Sequence, residues 1–193
     1  DDIYALKNFI KNYLKNKFPN SKINIDFFDS EKTFYLKNTK EINKIYSTPI
    51  HSLLTLTNSE SHNFTAESLF KNASNTWNDN DYIKLKRWLK IKGLPVDNAN
   101  FADASGLSRK NKITTKLVVL FLDKMRYSNN FQAYQSTLAI MGVRGTLAKR
   151  FVNSELSGKF FGKTGTLSNV FALSGFLYKN EKPIIISIIQ NSN

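Results

Sequence analysis

The stretch FGKTGTLSNVFALSGFL, residues 161–177, decides the fold. It carries two apolar runs, 160–166 and 170–178, and a third follows at 184–190 after the hairpin-length connection KNEKP. Helical patterns fill the chain before it, so helices come first and an antiparallel meander last, an α+β architecture. Inside the first run stands Lys163-Thr164-Gly165-Thr166. A lysine there supplies a fixed positive charge and a proton relay, and the hydroxyls of Thr164 and Thr166 suit a substrate carboxylate. Gly165 removes the side chain that would stop a ligand lying against the strand. The same tripeptide also occurs as an ordinary strand start with a solvated lysine, so its meaning depends on what else shares a pocket with Lys163.

The 193 residues are 41% hydrophobic and 13% aromatic, which suits one globular domain over 1–193 with a sizeable core rather than a disordered chain. No apolar run approaches the ~18 residues of a membrane helix; the longest, 184–189, is strand-sized. The formal charge of +13 invites a nucleic-acid reading. Against it, only five of the 28 basic residues are Arg, and the lysines are scattered among Asn and Ile instead of forming a patch. No helix-turn-helix, zinc-finger or RNP-type motif accompanies them, so no nucleic-acid partner is expected. A positive surface suits contact with an anionic polymer or membrane equally well. The absence of cysteine excludes disulfides, thiolate metal sites and a Cys nucleophile, and His51 and His62 lack a carboxylate cluster to make a metal site. No metal and no cofactor are expected.

Along the chain, Ile3, Leu6, Ile10, Tyr13 and Leu14 predict an amphipathic helix over 3–17, ended near Pro19. Residues 22–28 alternate as a short strand, and 29–48 are polar and irregular. Ile50–Asn58 reads as a helix interrupted by SESHN; Ala66, Leu69, Phe70 and Ala73 then mark the buried stripe of another. A helix over 81–90 stops at Gly93 and Pro95, FADASGLSRKNKITT is a loop, and 116–125 is a helix capped by Thr114 or Thr115. MGVRGTLAKRF predicts a turn leading into a short helix.

Ser61-His62-Asn63 is an S-x-N triplet between two helices, where a hydroxyl can shuttle a proton and an amide can bind a substrate carbonyl. The plainer reading is that Ser61 caps the following helix, with Thr65 and Glu67 as first-turn polar residues. Ser68-Leu69-Phe70-Lys71 fits S-x-x-K literally. On a helical wheel, however, Ser68 and Lys71 fall opposite the apolar stripe, which predicts exposure to water and no desolvation to make Lys71 a base. Lys-Thr-Gly accompanies S-x-x-K and S-x-N-type motifs in serine enzymes that acylate on β-lactams.

With these motifs in place, the chain resembles the penicillin-binding D-alanyl-D-alanine carboxypeptidases of the DacB type (class C, peptidase family S13). The resembling stretches, in order, are YSTPIHSLLTLTNSESHNFTAESLF, DASGLSRKNKITT, LAIMGVRGTLAKRF and GKTGTLSNVFALSGFL followed by IIISIIQN. Two positions depart from the pattern: Ala104 replaces a glycine, leaving the shape of its loop open, and Arg144 stands where an aspartate is common. The resemblance implies part of the β-lactamase/transpeptidase-like fold, a helical cluster plus an antiparallel sheet. It implies that Ser61 and Asn63 serve the proton relay and the substrate amide, and that Lys163, Thr164 and Gly165 hold the terminal carboxylate and backbone. It further implies that the Thr166 N–H completes an oxyanion hole and that Arg109 lines the pocket for the far end of the stem, where a guanidinium suits a diaminopimelyl carboxylate.

The implied partners are peptidoglycan stem peptides and β-lactam antibiotics, in a periplasmic or otherwise extracytoplasmic setting. In the family the nucleophilic Ser-x-x-Lys lies upstream of the region resembling residues 1–17. The chain, which opens on Asp1, is therefore expected to be the C-terminal portion of a longer enzyme, inactive without its upstream portion. The alternative is a catalytically inactive relative that binds peptidoglycan or a partner enzyme.

Overall fold

The structure, a computed structural model, describes residues 2–24, 46–74, 81–179 and 181–192. They fall into two compact units, Asp1–Ile45 and Tyr46–Asn193. In the first, helix α1 spans Asp2–Lys17 and carries Lys15 and Lys17 in its last turn, where cations complement the helix dipole. Ile10 and Leu14 are half-buried, whereas Tyr13, read as part of the apolar face, is 56% exposed. The strand expected at 22–28, like most of the irregular 29–48 stretch, lies largely outside the described residues.

The second unit opens with α2 (Ile50–Asn58), α3 (Asn63–Ser74) and α4 (Asp81–Ile91). Gly93, at φ +73°, and Pro95 end α4 as the sequence suggests. Helix α5 (Thr115–Arg126) is capped by Thr114, whose hydroxyl accepts from Leu117 N–H at 3.1 Å. A short α6 (Phe131–Ser136) and a two-residue strand β1 (Ala139–Ile140) follow. Neither has a sequence signal: α6 is too short and polar for a period, and β1 too short to alternate. A 3-10 turn, Gly145–Leu147, takes the place of the short helix expected there.

Strands β2 (Phe160–Leu167), β3 (Val170–Tyr178) and β4 (Pro183–Asn191) complete an antiparallel sheet in the order β1-β2-β3-β4. One sheet face, with Phe160, Leu173, Leu177 and Ile186, covers Ala139, Met141 and Leu147. The other, with Phe161, Phe176 and Ile185, packs on Val118, Phe121 and Leu122 of α5 and on Phe131 and Tyr134 of α6. Phe176 is fully buried, so its ring fixes the sheet against the helices. A further cluster joins α4 to α5 through Leu89, Leu94, Val96 and Leu117. Among the described residues no helix is long and apolar enough to cross a membrane.

The α3 stripe is not as the wheel predicts. Thr65 is its buried residue, Ala66, Leu69 and Phe70 are half-buried, and Ala73 is exposed. The reason is α4. Phe70 stacks on Tyr82 with centroids 4.8 Å apart, and Lys71 reaches the fully buried Asp81 at 3.7 Å with only 14% of its side chain exposed. Asp81 also accepts from Ser74 Oγ at 2.8 Å and pairs with Lys84 at 3.3 Å, which supplies the partners a buried carboxylate requires. The expectation that Ser68 and Lys71 face water is therefore corrected: Ser68 is half-buried, and Lys71 is drawn in by a charge on a neighbouring helix that a single-helix wheel cannot see. Its ammonium lies in that ion pair and 5.1 Å from the centroid of the Tyr82 ring.

Candidate active site

Lys163 lies on β2 paired with Ser174 of β3, and its side chain emerges on the helical face of the sheet. Its Nζ donates to Ser61 Oγ at 2.7 Å, closing a gap of 102 residues in sequence, and to its neighbour's carbonyl, Thr164 O, at 2.7 Å. Burial pushes the Lys163 ammonium below the ordinary lysine value. Because Ser61 Oγ accepts from Lys163, its own O–H is left to donate elsewhere.

Ser61 has a left-handed backbone, φ 61°, a conformation that costs a non-glycine residue about 1 kcal/mol or more and is concentrated at functional sites. It is not the helix cap. That role falls to His62, whose Nδ1 accepts from Thr65 N–H at 3.3 Å and lies 2.7 Å from Thr65 Oγ1. Asn63 opens α3 and is exposed.

The turn carrying Ser61 is held from below by the Gly145–Leu147 segment. Thr146 N–H donates to Ser59 O at 2.9 Å. Gly145, at φ +69°, lies so close to the fully buried Ser59 that a Cβ there would collide with its hydroxyl and carbonyl. Asn58 Nδ2 donates to Thr137 Oγ1 at 2.8 Å, tying the end of α2 to the end of α6. Arg144, at the position where relatives were expected to carry aspartate, donates through Nη2 to the carbonyls of Ser136 and Leu138 at 2.5 and 2.7 Å, which fixes α6 to the same segment.

Thr146 also accepts from Thr164 Oγ1 at 2.9 Å, so one residue touches both the Ser61 turn and the Lys163 strand. The Thr164 side chain is buried, its hydroxyl bonded to Thr146. Gly165 and Thr166 are exposed.

Strand β1 pairs only with Phe161 and Gly162, so beyond Gly162 the β2 edge faces no other strand among the described residues. Met141 N–H donates to Phe160 O at 2.9 Å, so residues alternating from Phe160 present their backbone groups on this side. Thr164 and Thr166 belong to that set. With the Thr164 carbonyl taken by Lys163, the Thr166 N–H stands on the open edge as the next donor.

The 103–109 loop is braced around Asp103, which accepts from Gly106 N–H at 2.6 Å, Asn111 Nδ2 at 2.8 Å and Ser108 N–H. Glu67 of α3 ties it down, accepting from Ala104 N–H and Ser105 N–H at 2.8 Å each and from Tyr82 OH at 2.9 Å. Burial alone would raise the Glu67 carboxyl; the hydrogen bonds from Ser105, Tyr82 and Ala104 outweigh it and hold it below the ordinary value. Tyr82 is pushed up to about 12 by burial and by that carboxylate. Ala104 keeps a negative φ, and the left-handed position in the loop is Gly106 at φ +83°, so the methyl at 104 is accommodated. Arg109 reaches the turn after β2, its Nη2 donating to Ser168 Oγ at 3.0 Å.

Of the residues singled out from sequence, Ser61 and Lys163 are joined directly, Thr164, Gly165 and Thr166 continue the same strand, and Arg109 reaches the turn after it; Asn63 follows Ser61 at the start of α3 and is exposed. Thr146, Ser59 and Glu67 were missed as positioning residues. The GVRGTL segment was the signal that could have found the first.

A profile described as the D-Ala-D-Ala carboxypeptidase 3 (S13) family matches residues 5–193, and the chain belongs to that family. A D-alanyl-D-alanine carboxypeptidase from Actinomadura sp. (strain R39) is 36% identical over 110 residues, 53% of this chain and 20% of the relative. The D-alanyl-D-alanine carboxypeptidase DacB of Haemophilus influenzae is 28% identical over 156 residues, 76% of this chain and 33% of that one. Among solved structures, penicillin binding protein 4 (dacB) from Haemophilus influenzae superposes with a TM-score of 0.62 at 26% identity, covering 74% of this chain and 34% of its own. A predatory endopeptidase from Bdellovibrio bacteriovorus, at 17% identity and a TM-score of 0.62, shares the fold over 75% of this chain and 37% of its own. The chain thus spans about a third or less of the relatives it matches.

Proposed function

We propose that these residues form two walls of the active site of a serine-type D-Ala-D-Ala carboxypeptidase acting on peptidoglycan stem peptides outside the cytoplasm. DD-endopeptidase action on cross-links is part of the same reading. The observation that carries it is the 2.7 Å bond from Lys163 Nζ to Ser61 Oγ beside an open strand edge. In this reading the attacking hydroxyl comes from a Ser-x-x-Lys segment outside the 193 residues. Residues 1–193 are then part of one transpeptidase-like domain completed by that upstream portion.

In this mechanism the stem's last two residues lie antiparallel to β2, with the terminal carboxylate near Lys163 and its carbonyl oxygen on the Thr166 N–H. The serine oxygen bonds to the penultimate D-Ala carbonyl carbon, and the C–N bond breaks. Ser61 passes the proton of the attacking hydroxyl to the departing amine, its O–H being free because Lys163 donates to its oxygen. Water then cleaves the acyl ester and restores the serine. Throughout, the Lys163 ammonium, lowered by burial, holds the Ser61 oxygen as a donor while the proton moves. Asn63 is assigned to the substrate amide and Arg109 to the distal carboxylate of the stem. A penicillin ring is opened by the same attack. The Haemophilus relative has been solved with a β-lactam and a Bdellovibrio endopeptidase acylated by penicillin G, which supports β-lactam binding here.

Fluorescent penicillin tests the proposal. The gene product carrying the Ser-x-x-Lys segment should label covalently, and Lys163→Ala should slow labelling about 10²-fold or more. The 193-residue chain alone should not label. Labelling of the isolated chain that is lost on Ser68→Ala, or an undiminished rate in Lys163→Ala, would overturn it. A product that binds peptidoglycan without labelling would favour the inactive relative.

A further inference from the structure

The outward arc of α4 plays no part in the cleft. The helix turns Leu85 and Leu89 into the core, yet its solvent side carries three large apolar residues: Ile83 at 60% exposure, Trp88 at 49% and Ile91 at 75%. Cations surround them. Lys84, Arg87, Lys90 and Lys92 occupy the same arc, and Lys92 Nζ lies 5.7 Å from the Trp88 ring centroid. The one acid of the helix, Asp81, is fully buried and paired. On the flank of the arc a groove of about 520 Å³ lies between α4 and residues 96–102, lined by Tyr82, Lys86, Arg87, Val96 and Phe101 among others. Lys86 Nζ is tied to Ala99 O at 2.6 Å, and Lys90 lies 3.6 Å from the exposed carboxylate of Asp97, which lines the groove as well; Arg87 is the remaining cation of the lining among the described residues.

We infer that this arc is a docking surface for an anionic phospholipid bilayer, on which α4 lies in the plane of the headgroups. The argument is complementarity of both kinds at once. Cations alone would serve any polyanion, but a soluble polyanion gives Ile83, Ile91 and the indole nothing to bury them. A headgroup layer takes the long basic side chains at phosphate depth and the apolar ones just beneath, with the amphipathic Trp88 between the two. Docking adds location rather than chemistry, so it stands or falls separately from the peptidase reading.

The test is sedimentation of the full chain with vesicles of equimolar phosphatidylglycerol and phosphatidylcholine, against phosphatidylcholine alone and against double-stranded DNA. Binding to the anionic vesicles is expected, weakened by salt. Ile83→Asn with Ile91→Asn should lower partitioning about tenfold, and Arg87→Gln with Lys90→Gln by a comparable factor. A blue shift of emission on binding should vanish in Trp88→Phe. All five substitutions are at exposed sites, so thermal melts should be unchanged, as should penicillin labelling. Equal affinity for neutral vesicles, no vesicle binding, or vesicle binding indifferent to the isoleucine pair would overturn the inference. DNA binding as tight as vesicle binding and equally insensitive to that pair would make the arc a polyanion surface instead.

Discussion

Strand β2 and the turn between α2 and α3 face each other across the Lys163–Ser61 bond and reach that position by different routes. Every residue of β2, Phe160–Leu167, is in register with a partner on β3, so Lys163 inherits its place from a sheet with a core on both faces. Ser61 belongs to no regular element and sits in a left-handed backbone, held by Ser59 against Gly145, by Thr146 and by Asn58. A periodic wall is over-determined in register and keeps its geometry when one contact goes. A turn wall depends on a few specific contacts.

That contrast can be broken from either side. Gly145→Val places a branched side chain at φ +69° and onto Ser59, and should cost about 3–5 kcal/mol of stability. It should also slow penicillin labelling of whatever remains folded by about 10²-fold, because the turn cannot seat; stability loss with a normal rate would show that the seat is unnecessary. Phe176→Ala removes a fully buried ring for a comparable loss of about 3–5 kcal/mol, read as a fall in Tm. Here the folded fraction should label at close to the native rate, since the register survives.

Ser61→Gly sharpens the comparison further. Relief of the left-handed backbone should raise stability by up to about 1 kcal/mol while labelling falls with the lost hydroxyl. A lower Tm would mean that the Lys163 bond contributes more to folding than the strain removes.

The smallest effect concerns Glu67. Its carboxyl is held below the ordinary value of 4.5, so the unfolded chain binds the proton first as pH falls. The stability it contributes is complete above 4.5 and lost as pH drops through the folded value, and Glu67→Gln should flatten that part of the acid limb. An unchanged acid limb would mean the loop does not depend on this carboxylate. Lys163 gives the same slope in a higher pH window, with the charged form being the disfavoured one. Its lowered ammonium makes stability rise with pH toward 10.5, so Lys163→Met should stabilise near neutrality and lose that advantage in base.

What the sequence revealed follows the same division. The three long strands, α1 to α5 and the Thr114 cap are legible because each carries a period or a cap residue. The Lys-Thr-Gly and S-x-N triplets are legible as chemistry. Their convergence is not, since it rests on Thr146 bridging a turn and a strand, a tertiary contact without period. Lys71 was misread for a related reason: a wheel describes one helix, and Asp81 lies on the next. Ser61 as a cap was a fair local reading that His62 Nδ1 pre-empts.

The two-residue length of β1 has a consequence for self-association. An unpaired strand edge is an invitation to the same edge on another molecule, and proteins limit it by keeping such edges short or charged. Here the open part of β2 runs only from Lys163 to the Ser168-Asn169 turn, with the Thr164 carbonyl already taken by an ammonium. What is left is too brief to seed a ribbon between two copies of the chain along this edge. The shortness of β1 thus leaves β2 open and, on that side of the sheet, keeps the opening too small for a neighbouring molecule's strand.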